Sequence, residues 1–342
     1  MIRQLAAVTA TATLLVTTLP AAQAAAAGPT VRATCTKHAL PLPADSMPGS
    51  SRAASADPSG RFILGEANRE GRMHGNAVLW VHGVPRWLAS QPEGESFAYS
   101  VVAGGFVLGS TYSLTKTDHW IYSAETDSYR ILELPGNLQL SQLTAMNANR
   151  DILGTVLDET TGEQVPFVWP SGGQPRLLTV PSGLSVYAMD DISDEGLVIG
   201  RLNRPEDGQT SYLWRSADAE PARLGGAGDQ PVWARDIEGR WIAGGDTDID
   251  DRTGLLWNTR NDRIVKLEDS VTDLNSTRDA VTAGSFGPLG DYPSMIIKRN
   301  GAKITFPEGT ILEHIFERTS KWTAAGYDVS SGQLEPIVYA CR

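Results

Sequence analysis

Short apolar runs that end in glycine recur along the whole chain. Phe62-Ile63-Leu64 precede Gly65, Phe106-Val107-Leu108 precede Gly109 and Ile152-Leu153 precede Gly154. Leu197-Val198-Ile199, Trp241-Ile242-Ala243, Ala280–Ala283 and Trp322–Ala325 lead in the same way to Gly200, Gly244, Gly284 and Gly326. Successive glycines stand 44, 45, 46, 44, 40 and 42 residues apart, a period in the low forties that belongs to the blades of a β-propeller.

A second marker follows each glycine: an apolar triplet ending in a large residue. Val78-Leu79-Trp80, Phe167-Val168-Trp169, Tyr212-Leu213-Trp214 and Leu255-Leu256-Trp257 carry tryptophan. Trp120-Ile121-Tyr122, Met295-Ile296-Ile297 and Ile337-Val338-Tyr339 complete the set. Periodic tryptophan predicts core, since each such ring must bury a large apolar area. Four short β-rich runs fit each repeat; in the fourth they fall near 185–190, 197–201, 211–215 and 222–224, separated by turn clusters such as Ser193-Asp194-Glu195-Gly196. Short strands at this spacing, with no long amphipathic helix between them, predict an all-β chain.

The seventh repeat supplies strands near 313–318, 322–327 and 335–341 and then stops one strand short. The segment Cys35–Pro43 resembles the fourth strands Arg130–Pro135 and Arg176–Pro181. It is therefore expected to complete the last blade. The fold predicted is a seven-bladed β-propeller, four strands per blade, spanning 25–342 as one domain, with its edges removed by ring closure.

The start of the chain changes the setting. Arg3, an apolar stretch from Leu5 to Leu19 and the small residues Ala22-Gln23-Ala24 read as a secretory signal peptide over 1–24. The stretch is too short and too rich in threonine for a membrane span. In a secreted, extracellular protein the two cysteines, Cys35 and Cys341, are expected to form a disulfide. The net charge of −11, with no basic run, argues against nucleic acid and anionic membrane surfaces as partners.

The glycine after an apolar run, followed by an apolar triplet with tryptophan, resembles the extracellular HAF-repeat family of bacterial propeller-like proteins. The resemblance covers nearly all of the mature chain. The His-Ala-Phe triplet itself is replaced here by Pro166-Phe167-Val168-Trp169 and its counterparts. The resemblance implies fold and export rather than a reaction.

Candidate chemistry is sparse. The loops joining second to third strands, such as 66–76, 155–165, 202–210 and 285–293, are long, polar and unlike one another, as recognition loops on a rigid ring are. Asp246, Asp248 and Asp250 alternate along one of them and read as an acidic hairpin turn or as a site for calcium, the one cofactor the sequence offers; Asp251 and Trp257 replace the turn glycine and bidentate glutamate of an EF-hand. Ser285 lies in a Gly-Ser-Phe-Gly sequence, and Gly109-Ser110 holds the equivalent place in blade 2; neither has the strand–turn–helix setting of a nucleophile elbow. The tandem carboxylates Asp190-Asp191 read as turn formers or as a glycosidase pair. Tyr99, Tyr187, Trp233 and His314 fall in or near first strands, which line the channel of a propeller. Their rings could stack on sugars or pack between blades. Two functional readings follow, beside that of a purely structural exported protein with no specific ligand. One is a non-catalytic recognition module that binds carbohydrate or a protein on a cell surface through one face of the ring, as a subunit of a secreted complex or alone. The alternative is a glycoside hydrolase or lyase with carboxylates at the channel mouth.

Overall fold

The computed structural model describes residues 34–72, 75–91, 93–134, 138–206, 208–226, 230–246, 253–282, 293–317 and 319–342. The signal peptide expected over 1–24, Asp248, Asp250 and Ser285 lie outside these residues.

Strand β1 is Cys35–Ala39. Blade 1 is β2 (Arg52–Ala56), β3 (Phe62–Asn68), β4 (Gly75–Val81) and β5 (Val84–Leu88). Blade 2 is β6 (Glu95–Val102), β7 (Phe106–Tyr112), β8 (Thr117–Ser123) and β9 (Ser128–Ile131). Blade 3 is β10 (Leu138–Met146), β11 (Ile152–Asp158), β12 (Gln164–Trp169) and β13 (Arg176–Leu177). Blade 4 is β14 (Ser185–Ile192), β15 (Val198–Arg204), β16 (Gly208–Trp214) and β17 (Ala222–Arg223). Blade 5 is β18 (Val232–Glu238), β19 (Trp241–Asp246), β20 (Gly254–Asn258) and β21 (Arg263–Leu267). Blade 6 is β22 (Val271–Leu274), β23 (Ala280–Thr282), β24 (Met295–Ile297) and β25 (Lys303–Thr305). The last strands are β26 (Thr310–Ile315), β27 (Ala324–Asp328) and β28 (Glu335–Cys341). Each blade is an antiparallel sheet in chain order, except that β1 is the outer strand of blade 7, giving β1-β28-β27-β26. The chain is a seven-bladed β-propeller, as its repeats predict.

Ring closure is by strand pairing and a covalent bond together. Cys35 to Ala39 pair in register with Cys341 to Ile337, and the Cys35–Cys341 disulfide spans 306 residues of sequence. Lys37 adds an ion pair to Asp328. The regular strand is shorter than the segment 35–43 read from sequence. After Leu40, whose N–H donates to Pro336 O at 2.9 Å, the chain turns off and Pro41 O accepts the Trp80 indole N–H.

The cores lie between blades. Phe62, Leu64 and Leu79 of blade 1 pack with Val107, Trp120 and Tyr122 of blade 2, and the same arrangement repeats around the ring. The periodic tryptophans stitch these interfaces. Trp80, Trp214 and Trp257 donate their indole N–H to Pro41 O, Thr179 O and Gly225 O, each just past the outer strand of the preceding blade. Trp169 is the exception and bonds to Gly173 O in its own blade.

The repeat glycines have a steric cause. Each first strand is bulged, and the glycine of the second strand lies opposite the bulge. A Cβ built on Gly65, Gly244 or Gly326 would stand 2.0 Å from the carbonyl oxygen of Arg52, Trp233 or Ile311. At Gly109 it would strike the Trp120 ring at 2.3 Å. In blade 6 the register corrects the sequence reading. Val271, which precedes the bulge, pairs with Thr282, so Thr282 rather than Gly284 holds this position.

Candidate functional site

Because a bulge re-aims the side chains that follow it, the seven first strands present equivalent residues to the axis. Ser55, Ser100, Ala145, Asp191, Asp236, Asp273 and His314 each pair with the residue before the second strand's bulge-facing position. Blades 1 to 3 thus contribute small side chains, and blades 4 to 7 contribute three carboxylates and an imidazole.

These carboxylates join neighbouring blades. Asp191 Oδ2 accepts Ile237 N–H at 3.1 Å, Asp236 Oδ2 accepts Leu274 N–H at 2.7 Å and Asp273 Oδ2 accepts Ile315 N–H at 2.6 Å. Asp191 and Asp236 are also hydrogen-bonded to each other, which requires a proton between them. Burial pushes Asp191 up to about 6. Burial and the Asp273 and Asp191 charges hold Asp236 well above the carboxylate range, so Asp236 keeps the proton. His314 Nδ1 sits 3.2 Å from Asp273 Oδ2. Burial disfavours its protonation, but the Asp273 charge and hydrogen bond prevail and raise it above the ordinary histidine value. Glu238, two residues along from Asp236, is pushed up to about 7 by burial and by the charges of Asp194 and Glu317. Among the described residues, no group of three or more His, Cys, Asp or Glu side chains is arranged to hold a metal ion.

The four aromatic candidates divide. Tyr187, 52% exposed, and Trp233 are brought together by Arg201, whose guanidinium lies 5.2 Å and 5.5 Å from their ring centroids. Asp190 fixes that guanidinium through two bonds of 3.1 and 3.0 Å, so it is an ion-pair partner rather than a turn former. Arg235 lies over Trp233 as well, at 5.3 Å. Tyr99 belongs elsewhere: its hydroxyl donates to Ser110 Oγ at 3.1 Å, and Ser110 Oγ is 2.7 Å from His119 Nδ1. Burial lowers the His119 pKa. Ser110 is wholly buried, so this serine–histidine pair reaches no substrate. His314 is the channel residue already described, edge-on to Phe316. Asp246 ends β19, with Asp248 and Asp250 beyond the described residues.

An open cleft of about 1050 Å³ lies at blades 4 to 6. It is lined by the turns between first and second strands (Glu195, Glu238–Trp241 and Ser276–Arg278) and between third and fourth strands (Arg215, Asn258–Arg263 and Arg299). These turns share one face of the ring, the opposite face from the long second-to-third-strand loops where the sequence placed recognition. Glu238 links the cleft to the channel wall.

No protein-family model matches the chain, and no curated protein matches it. Several solved structures are similar in fold. The oligogalacturonate lyase of Vibrio parahaemolyticus is similar over 92% of this chain and 98% of its own, with a TM-score of 0.62 and 9% identity. An oligogalacturonate lyase in complex with manganese is similar over 93% and 98%, with a TM-score of 0.61 and 10% identity. The acylaminoacyl peptidase of Pyrococcus horikoshii is similar over 85% of this chain and 52% of that one, with a TM-score of 0.55 and 11% identity. At such identities the likeness is one of fold.

Proposed function

We propose that the chain is a recognition module, secreted and extracellular as the HAF-repeat resemblance implies. It binds carbohydrate or a protein on a cell surface through one face of the ring, alone or as a subunit of a secreted complex, and performs no chemistry of its own. The observation that carries this reading is the wide cleft on the face built by the short turns of blades 4 to 6. Its walls are guanidinium, carboxyl, amide, hydroxyl and indole groups, which suit binding. The polar groups elsewhere that look catalytic are committed to structure: the channel carboxylates clasp the next blade's amides, and Ser110 is sealed. Calcium held by Asp246, Asp248 and Asp250 belongs to the same reading, with Asp248 and Asp250 outside the described residues. The test is a pull-down with isolated cell-wall and surface material together with a glycan array. A ligand whose binding is lost on substituting cleft residues supports the reading, and no ligand on either platform ends it.

One observation favours the alternative, a glycoside hydrolase or lyase. Asp191 and Asp236 are hydrogen-bonded carboxyls whose proton affinity burial raises, a state used in acid–base catalysis. Incubation with polygalacturonate and with neutral polysaccharides, followed by reducing-end and unsaturated-product assays, checks it. Turnover lost in Asp236→Asn would replace the binding reading with this one.

A further inference from the structure

Six arginines line the cleft: Arg215, Arg240, Arg260, Arg263, Arg278 and Arg299. They stand against three carboxyls, Glu195, Glu238 and Asp262, in a chain whose net charge is −11. Among the described residues only Arg215 of the six is ion-paired, to Asp262 at 3.7 Å. Among the described residues Arg240, Arg260, Arg263 and Arg299 make no ion pair, and all four are exposed.

Arg278 sits at the centre of this group under conditions that cost stability. Its φ of 64° is left-handed, which a non-glycine residue adopts only under local constraint. Its guanidinium lies 4.8 Å over the Trp241 ring, and Nη2 donates to Arg299 O at 2.8 Å. Burial lowers its pKa, and the next contributions come from Arg299, Arg263 and Arg240, which repel it; Asp279 opposes them only weakly. Like charges crowded in excess of their counter-charges are an arrangement that an anion relieves. A smaller adjoining pocket of about 250 Å³ shares Arg263, Arg278 and Arg299, so these three stand on the ridge between two hollows.

We propose that this cleft is a binding site for a linear acidic polysaccharide, whose successive carboxylate or sulfate groups pair with the arginines of blades 4 to 6. The proposal rests on the recognition reading above and narrows its ligand. A volume at the upper end of small-molecule pockets, open along one side, suits a chain rather than a single small anion. The uncharged lining is mostly amide and hydroxyl, from Asn258, Thr259, Asn261, Ser276 and Thr277, with the half-buried Trp241 ring and the single aliphatic residue Leu197. Sugar hydroxyls match such groups. An acidic peptide would need apolar subsites or a sheet edge, and the cleft presents neither.

The full chain is titrated with polygalacturonate, dextran sulfate, neutral dextran and poly-glutamate at low and high salt. The first variant is R240A/R263A/R299A, and R260Q/R299Q, confined to exposed turn residues, is the second. R130A/R176A, which removes the same kind of charge from blades 2 and 3, is the control. The expected result is binding of polygalacturonate or dextran sulfate but not neutral dextran, weakened about tenfold or more in the cleft variants and by salt, with the control within about twofold. The preferred polymer separates carboxylate from sulfate. Equal weakening in control and cleft variants overturns the proposal, because the attraction is then diffuse. Equally tight poly-glutamate binding through the same arginines overturns it in favour of an acidic protein. A neutral glycan bound without regard to these arginines overturns it while leaving the recognition reading standing. If no polyanion binds, the proposal falls, and the reading beneath it falls only if the glycan array and pull-down are blank too.

Discussion

Asp236 of blade 5 accepts the backbone N–H of Leu274 in blade 6 at 2.7 Å while holding a proton against Asp191 of blade 4. One side chain thereby joins three blades at the channel wall. Asp236→Ala leaves the Leu274 amide without its acceptor in a buried setting, and the expected cost is about 1–3 kcal/mol. Asp236→Asn keeps an acceptor for the Leu274 N–H and a donor toward Asp191, and it can never take on the charge that its neighbours disfavour. Urea unfolding at pH 8 is expected to rank the asparagine variant at or above the parent and the alanine variant below it. An alanine variant as stable as the parent would show that the clasp contributes nothing.

The same cluster fixes a pH dependence. Asp191 at about 6 and Glu238 at about 7 bind their protons more tightly in the folded chain than in the unfolded one, where carboxyls titrate near 4. The folded state therefore carries more protons from about pH 4 to about pH 7, and stability falls as pH rises through that window. His314, raised by Asp273, adds a loss of the same sign at the upper end. The lowered carboxyls Asp118 and Asp328 act in the opposite direction below the ordinary carboxyl range, and the lowered His119 opposes the fall up to about pH 6.5, one imidazole against several raised groups. Scanning calorimetry is expected to give a higher midpoint at pH 5 than at pH 8, with Glu238→Gln flattening the upper part of the fall. A midpoint that rises over this interval would contradict the assignment.

Gly244→Ala is expected to destabilise by about 1–3 kcal/mol or more. The added methyl would meet Trp233 O at 2.0 Å, against backbone that has little room to move. Gly239→Ala supplies the contrast. Its φ of 55° strains any side chain, but nothing stands within 4 Å of a Cβ there. Chemical denaturation should rank Gly244→Ala as the worse of the two. The reverse order would deny that carbonyl approach dictates the repeat glycine.

Removing the disulfide tests closure. In the chain-entropy model a bridge spanning 306 residues constrains the unfolded state by about 5–6 kcal/mol, which bounds the loss in Cys35→Ser/Cys341→Ser. Deleting 34–40 also strips the five paired positions of β1 and the Lys37–Asp328 ion pair, so it is expected to cost more. Denaturant titrations of the two variants decide. Equal stability would mean that the strand adds nothing beyond the covalent link.

The number of blades was readable from the chain because one steric conflict recurs in it. Wherever a first-strand carbonyl turns inward, the residue opposite must lack a side chain, and the resulting glycines keep time with the blades. The rhythm misled only in blade 6, where Thr282 takes that place and Gly284 offered a false beat. The pairing of Cys35 with Cys341 was readable because strand counting left one vacancy at one end and one spare strand at the other. Site chemistry was far less legible. Tyr187 and Trp233 do meet, but over Arg201, whose charge and geometry nothing in their own spacing discloses. The channel acids were half visible, as apolar neighbours preceded by aspartate in Asp191-Ile192, Asp236-Ile237 and Asp273-Leu274. The cleft was hidden by averaging. A net charge of −11 gives no hint that six cations share one hollow, although Arg61, Arg150, Arg240 and Arg278 recur in the same turn of their blades.

Placing the earliest described strand beside the latest also sets an order of assembly. During synthesis β1 emerges first yet has no partner until β28 follows, some 300 residues later. Contacts so remote in sequence form slowly. Any product that terminates early is therefore left with one orphaned strand and one sheet short of its rim, a matched pair of sticky ends. One fragment and an intact neighbour carry the means to exchange that strand, and only a chain that reaches β28 can satisfy it internally.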